Sequence, residues 1–295
     1  MLPRTFALAA GQINQLAITI IASGLAIGSL SVFNLANNLQ SFPISVFGIS
    51  LAIAVFPVFS EALANNQADK FVSAFSLHFR RVLFFIIPVS IFILLERAQL
   101  VRIILGAEAF NWTATYNTAQ TLGWFAISLF AQSLIPMLTR SFYALEDTKT
   151  PFWVSLSAIS VNIIFSLLLT PTMGVAGLAL AFSLASILNM IILIGVLRTR
   201  IGYLDDKKII WSTFKISLNS LSAGLVVYLG LKIMADLVNM RSFWGIFIQG
   251  AVAAGLGVIC YIGLSLLFNS EEIIVIKNWA ARYLKPIFSQ NLSKK

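Results

Sequence analysis

A chain of 295 residues that is 59 % hydrophobic and only 11 % charged, with a mean hydropathy of +0.91, has more apolar surface than a soluble domain of that length can bury, which excludes a soluble globular protein. The net charge of +9 does not indicate nucleic acid, because the Lys and Arg residues sit between apolar runs rather than in one patch and serve as topology signals and anionic-lipid contacts. A single Cys, Cys260, inside an apolar run excludes a disulfide framework or a Cys-based metal site.

Eight runs approach or exceed the roughly 20 residues that span a bilayer. They cover residues 5–27, 39–63, 79–95, 118–139, 152–169, 175–197, 214–237 and 243–268. The first run begins after Pro3 and Arg4 and could imitate a signal peptide, but it is too long for a signal h-region and lacks a clean small-residue cleavage site, so a spanning helix is expected. Counting Lys and Arg in alternate connections gives the orientation. One side receives Arg4, Lys70, Arg80, Arg81, Arg140, Lys149, Arg198, Arg200, Lys207, Lys208, Lys215, Lys277, Arg282, Lys285, Lys294 and Lys295; the other receives Arg97, Arg102, Lys232 and Arg241. That asymmetry predicts an even number of spans with both termini in the cytoplasm.

From just before the second run into its first turns the pattern changes character. No Asp, Glu, Lys, Arg or His occurs between residues 5 and 60, yet Asn34, Asn37, Asn38, Ser41 and Ser45 recur at i, i+3, i+4, i+7 and i+11, one face of a helix. An unpaired amide in hydrocarbon costs on the order of 2–7 kcal/mol, so this stripe must face partner helices or a wet cavity. Gln12, Gln15, Thr19 and Ser23 mark a face of the first run, and Gln120, Trp124, Ser128 and Gln132 repeat every fourth residue in the fourth. Asn162, Ser166, Ser183, Ser186, Asn189 and Asn219 add isolated polar points. Each would serve alone as interhelical hydrogen bonding; together, on the first, second and fourth runs, they suggest one shared polar cavity. Pro43, Pro57, Pro88 and Pro136 lie in or beside the runs and predict kinks.

Signs of enzymatic chemistry are missing. There is no Gly-rich phosphate loop ending in Gly-Lys-Ser/Thr, and His78, the only His, sits beside Arg80 and Arg81 at a helix start. The acidic residues, Glu96 among them, fall at the ends of runs and in loops, so no mid-membrane carboxylate is expected, which weighs against an ion-coupled drug antiporter. Neither paired acids nor a metal cluster points to a hydrolase or transferase, and no cofactor or metal is implied.

Several segments resemble one family. Residues 36–43, Ala-Asn-Asn-Leu-Gln-Ser-Phe-Pro, running on through Gly48 to Phe56, Pro57 and Ser60, are similar to the eighth helix of the bacterial lipid II flippases, the MviN or MurJ type of the multidrug/oligosaccharidyl-lipid/polysaccharide exporter superfamily. Residues 11–15 with Ala22 and Ser23 are similar to that family's seventh helix, and residues 140–151, Arg-Ser-Phe-Tyr-Ala-Leu-Glu-Asp-Thr-Lys-Thr-Pro, resemble its most specific signature. Gly174 and Gly177, with Ala179 and Ala181, fit the turn and helix that follow.

The resemblance implies an all-α integral membrane protein of about eight transmembrane helices. Residues 1–200 would be the family's second six-helix lobe, 201–270 a two-helix hairpin forming a lipid-tail groove, and 271–295 a basic cytoplasmic tail. It further implies flipping of lipid-linked peptidoglycan precursor in the bacterial inner membrane, as a truncated or half-length member. The first lobe would then come from a separate N-terminal six-helix half or a second copy of the chain, with membrane lipids as the other partners and no nucleic acid. Gln12, Gln15, Ser31, Asn34, Asn37, Asn38 and Ser41 are expected to line the substrate path, and Arg140 to contact it at the cytoplasmic face. Members of the family carry an Asp, an Arg and a Glu where this chain has Asn37, Asn38 and Ser41, while Ser31 is retained. An Arg grips a diphosphate through charge-assisted forked hydrogen bonds, whereas Asn offers only neutral donors. Other outcomes are a flippase for another polyprenyl-linked oligosaccharide or a non-transporting scaffold in cell-wall synthesis.

Overall fold

The computed structural model describes residues 2–105, 112–240, 242–268 and 270–273; side chains of 2–10 and 105 lie outside that description, as does most of the expected basic tail with Arg241, Lys277, Arg282, Lys285, Lys294 and Lys295. The described residues form helices and short turns: α1 (Leu2–Ser23), α2 (Ser29–Pro43), a π-helical turn (Ile44–Ile49), α3 (Ser50–Ala64), α4 (Ala68–Leu105), α5 (Trp112–Ala126), α6 (Leu129–Ala144), α7 (Lys149–Met173), α8 (Val175–Ile201), α9 (Asp206–Leu237), α10 (Phe243–Leu267) and a 3₁₀ turn (Glu271–Ile273).

Six of these helical segments are long and apolar enough to cross a membrane, and the bent pair α5 and α6 brings the number to seven. The first of the eight expected spans is helical as α1, but with nine of its 22 side chains undescribed it does not enter that number. The second span begins earlier than expected, because α2, the π turn and α3 run on as one 36-residue helix from Ser29 to Ala64. Pro43 explains the turn: lacking an amide proton it cannot bond the carbonyl four residues back, and the helix absorbs the missing bond by widening.

The third span also exceeds its expectation. At 38 residues and about 57 Å, α4 runs on past residue 95 to Leu105. Arg97 and Arg102 are accommodated by donating to the carbonyls of Leu94 and Met240 at 3.3 and 3.5 Å. Glu96 is therefore inside a helix and buried, not at a helix end as the sequence suggested.

Helices α1–α8 form one bundle, and the α9–α10 hairpin packs on α4. Phe59, Phe71, Phe75 and Phe79 stack between α3 and α4, the neighbouring ring centroids lying 4.9–6.3 Å apart. A second core of Ile18, Val32, Phe33, Phe125 and Leu178 joins α1, α2, α5 and α8. Val227, Leu231 and Ala253 of the hairpin meet Phe92 and Leu95 of α4 in a third. Aliphatic side chains such as Leu168, Leu225 and Ile259 stay on the outside, the arrangement a lipid-facing surface requires.

Small residues set the closest approaches, as expected where packing rather than water exclusion holds helices together. A Cβ on Gly48 would lie 2.8 Å from the Ser133 backbone, and one on Gly177 equally close to that of Leu169. Gly174 closes the α7–α8 turn at φ 60° and ψ −139°, a conformation open essentially to glycine alone.

Candidate functional site

The polar side chains of the bundle sort into a closed hydrogen-bond network, a cavity beside it and an exposed face. The network starts at the break between α5 and α6, where the axes bend by 49°. In a continuous helix the Trp124 carbonyl would accept from the Ser128 amide. Here that amide bonds the Phe125 carbonyl instead, and the Ser183 hydroxyl of α8 donates to Trp124 at 2.8 Å. A side chain inserted into the helical ladder is a recognised cause of such a bend.

From Ser183 the chain of donors can be followed back to α2. The Ser128 hydroxyl donates to Ser183 at 2.9 Å, and Gln132 Nε2 donates both to Ser128 at 2.8 Å and to Gln40 Oε1 at 2.9 Å. Gln40 Nε2 in turn donates to Asn37 Oδ1 at 2.9 Å. Gln40 is only 1 % exposed, so its amide depends on these partners.

Beside Gln132 lies a cavity of about 270 Å³, lined by Asn14 of α1, Ile44 of the π turn, Gln132 and Pro136 of α6, Ser155 and Asn162 of α7, and Phe182, Ser186 and Asn189 of α8, among others. Asn162 Nδ2 donates to Asn14 Oδ1 at 2.8 Å. The side-chain oxygens of Asn162 and Asn189 are buried without a protein partner, leaving acceptors for water or for a ligand's hydroxyl or amide groups. Among the described residues none that lines the cavity is ionisable; what they offer a ligand is neutral hydrogen bonding rather than the charge that grips a diphosphate.

A second concavity of about 540 Å³ runs between α2 and α4, lined by Leu39, Phe42, Phe47, Val89, Ile93 and Ile104 with Asn38 as its polar member. Its lining suits a hydrocarbon chain.

The expected path residues divide accordingly. Asn37 is half-buried and takes part in the network, and the half-buried Ser41 donates back to the Asn37 carbonyl at 2.7 Å. Asn34 is half-buried, Asn38 is exposed at the apolar groove, and Gln12, Gln15 and Ser31 are exposed on the bundle surface. Arg140 donates to the Ile49 carbonyl at 3.4 Å, capping the end of the π turn. None of these eight lines the polar cavity; the residues that do include Asn162, Ser186 and Asn189, which had stood in the sequence as isolated points, and Asn14, flanked by exposed neighbours. Gln40 escaped the pattern because it falls one position off the Asn stripe. Its signal was its pairing with Gln132, which no single run displays.

At the other end of α6 the segment from Arg140 to Pro151 has a structural role of its own. Asp147 Oδ1 accepts from the Lys149 and Thr150 amides, both at 3.0 Å, and Oδ2 accepts from the Thr150 hydroxyl at 2.6 Å, which anchors the start of α7. Arg200 of α8 approaches the same carboxylate to 3.7 Å.

The family model described as "Lipid II flippase MurJ" matches residues 1–248. The probable lipid II flippase MurJ of Vibrio cholerae is 27 % identical over 272 residues, a match covering 91 % of this chain and 51 % of that protein. That of Thermotoga maritima is 32 % identical over 224 residues, covering 75 % and 44 %. Among solved structures, a lipid II flippase MurJ in an inward closed conformation superposes with a TM-score of 0.75 at 25 % identity, over 90 % of this chain and 53 % of the other. A transporter of the MOP superfamily from Pyrococcus furiosus shares the fold with a TM-score of 0.59 at 16 % identity, over 90 % and 63 % of the two chains. The chain spans about half the length of the curated relatives it matches.

Proposed function

Because this chain belongs to the lipid II flippase MurJ family, we propose that it forms one wall of a passage by which a lipid-linked peptidoglycan precursor crosses the bacterial inner membrane. The observation that carries this reading is a set of exposed polar side chains in an uncharged stretch of two helices. Gln12, Gln15, Ser31 and Asn38 are exposed on α1 and α2, in a stretch without a charged residue from position 5 to 60. Lipid cannot satisfy those amides, so they must meet water, a polar headgroup or another lobe.

In this reading α1–α8 are the second lobe of an alternating-access transporter, whose rocking against a further six-helix lobe moves the headgroup while the tail stays in lipid. The α2–α4 groove beside Asn38 is suited to the tail. With Asn at positions 37 and 38 this lobe offers hydrogen bonds rather than charge, so the diphosphate is held from the other side. The charge asymmetry of the connections favours both termini in the cytoplasm. The same neutrality favours a second reading, a membrane scaffold in cell-wall synthesis that moves no lipid.

Complementation separates the two. Cells depleted of their own flippase should grow when this chain is expressed together with a six-helix N-terminal lobe, and Asn38→Leu at normal expression should impair that rescue. Failure of the pair to restore growth or precursor translocation, with both proteins in the membrane, overturns the transport reading. Unchanged growth of the variant removes Asn38 from the path.

A further inference from the structure

Glu96 is 6 % exposed, and its Oε1 is buried without a hydrogen-bond partner. One turn along α4, Gln99 donates through Nε2 to Gln249 Oε1 of α10 at 3.2 Å, while its own Oε1 is also buried without a partner. Gln249 is 3 % exposed and donates to the Leu231 carbonyl of α9 at 2.8 Å. Gly250 sits directly over the pair, and a Cβ there would lie 3.7 Å from Gln99 Cβ and 3.9 Å from Glu96 Oε2. Three helices thus enclose two acceptor oxygens for which the described residues provide no donor.

Among the described residues no basic side chain answers the carboxylate. Arg97 is turned toward α5, where its guanidinium would come within 3.2 Å of a Cβ on Gly123, and Arg102 is turned to the Met240 carbonyl and the Trp112 ring. On α9, Lys232 and Asp236 are exposed, and α10 from Phe243 to Leu267 contains no charged residue. A bare carboxylate left in such surroundings loses its hydration with nothing in exchange, whereas one monovalent cation satisfies both oxygens at once. We propose that Glu96 and Gln99 form a cation site at the junction of α4, α9 and α10, taking a proton or an alkali-metal ion. As a proton, it makes Glu96 the donor to Gln99 Oε1; as a metal ion, it is ligated by both oxygens, the hard donors such ions require. Either occupant neutralises the interface that seats the α9–α10 hairpin, so occupancy and hairpin docking are linked.

The test is thermal unfolding of the purified full chain in detergent, for the wild type and Glu96→Gln, from pH 6 to pH 9 in sodium, potassium or choline chloride at equal ionic strength. If the occupant is a proton, the wild-type midpoint falls by roughly 4 °C or more as pH rises, alike in all three salts, and the variant is flat. If it is an alkali-metal ion, sodium or potassium raises the wild-type midpoint at pH 9 where choline does not, and the variant responds to neither. Identical responses of the two proteins to pH and to every salt overturn the site. Should Glu96→Gln fail to fold, Gln99→Leu carries the test. Loss of the second oxygen must shift the pH or salt midpoint by about tenfold in cation concentration, and an unmoved midpoint overturns the proposal.

Discussion

Asp147 shows how a single side chain in the signature segment is tuned by its surroundings. Partial burial acts to raise its carboxyl, but the Thr150 hydroxyl, the Thr150 and Lys149 amides and the nearby Arg200 outweigh it and hold the group below the usual carboxylate range. A carboxyl depressed in the folded state contributes stability that is fully present above its unfolded value, about 3.9, and is lost as pH falls through the folded value. Thermal stability should therefore hold from pH 7 to about 5 and decline below about 4. Asp147→Ala should cost about 1 kcal/mol at neutral pH, the usual worth of such a helix-start anchor, and should flatten the acid decline. An equally steep decline in the variant would assign it to other carboxylates. The segment was legible in the sequence as a family signature; the anchoring role of Asp147 and its partner Arg200, 53 positions away, were not, because they depend on how α7 and α8 fold back beside it.

Among the elements, the helix from Ser29 to Ala64 depends on one glycine where it crosses α6. A methyl group on Gly48 would lie 2.8 Å from the Ser133 Cα and carbonyl oxygen, atoms of a backbone that cannot swing aside as a side chain would. Gly48→Ala should lower stability by about 1–3 kcal/mol. Gly195→Ala on α8, with nothing within 4 Å of the added methyl, should be neutral or slightly stabilising. Melting curves for the pair would check this, and equal midpoints would mean that the α6 crossing relaxes freely. Pro43 announced a disturbance in this helix from the sequence, but its form, a π turn capped by Arg140, depended on α6 lying alongside.

At the scale of the whole molecule, the hairpin is tied to the bundle by a buried ion pair. Arg80 of α4 donates to Glu272 beyond the end of α10, with side chains 4 % and 3 % exposed. Ser212 of α9 donates to the same carboxylate at 2.8 Å, and Glu271 joins Arg80 to Lys208 at 3.2 and 3.1 Å. Removing one partner leaves an uncompensated buried charge, so Arg80→Met should cost about 3–5 kcal/mol, and adding Glu272→Met should recover much of it. A double-mutant cycle measures the difference, and simple additivity would show that the pair does not couple hairpin and bundle. In the sequence Arg80 was one topology charge among many.

Class, the approximate positions of the helices and the family were all available from the sequence, because each rests on properties carried by adjacent residues: apolar runs of bilayer length, a helical repeat of amides, and a contiguous signature. Which amides pair, and which face a cavity, could not be read in the same way. Gln40 meets Gln132 across 92 positions and Asn14 meets Asn162 across 148, distances along the chain that only the packing of helices closes. The helical repeat places a polar side chain on a face of its own helix, but whether that face finds a donor, an opening or lipid is decided by the neighbour that packs against it. The same packing moved Glu96 from an expected helix end into a sealed junction, where the lack of a partner becomes its informative property.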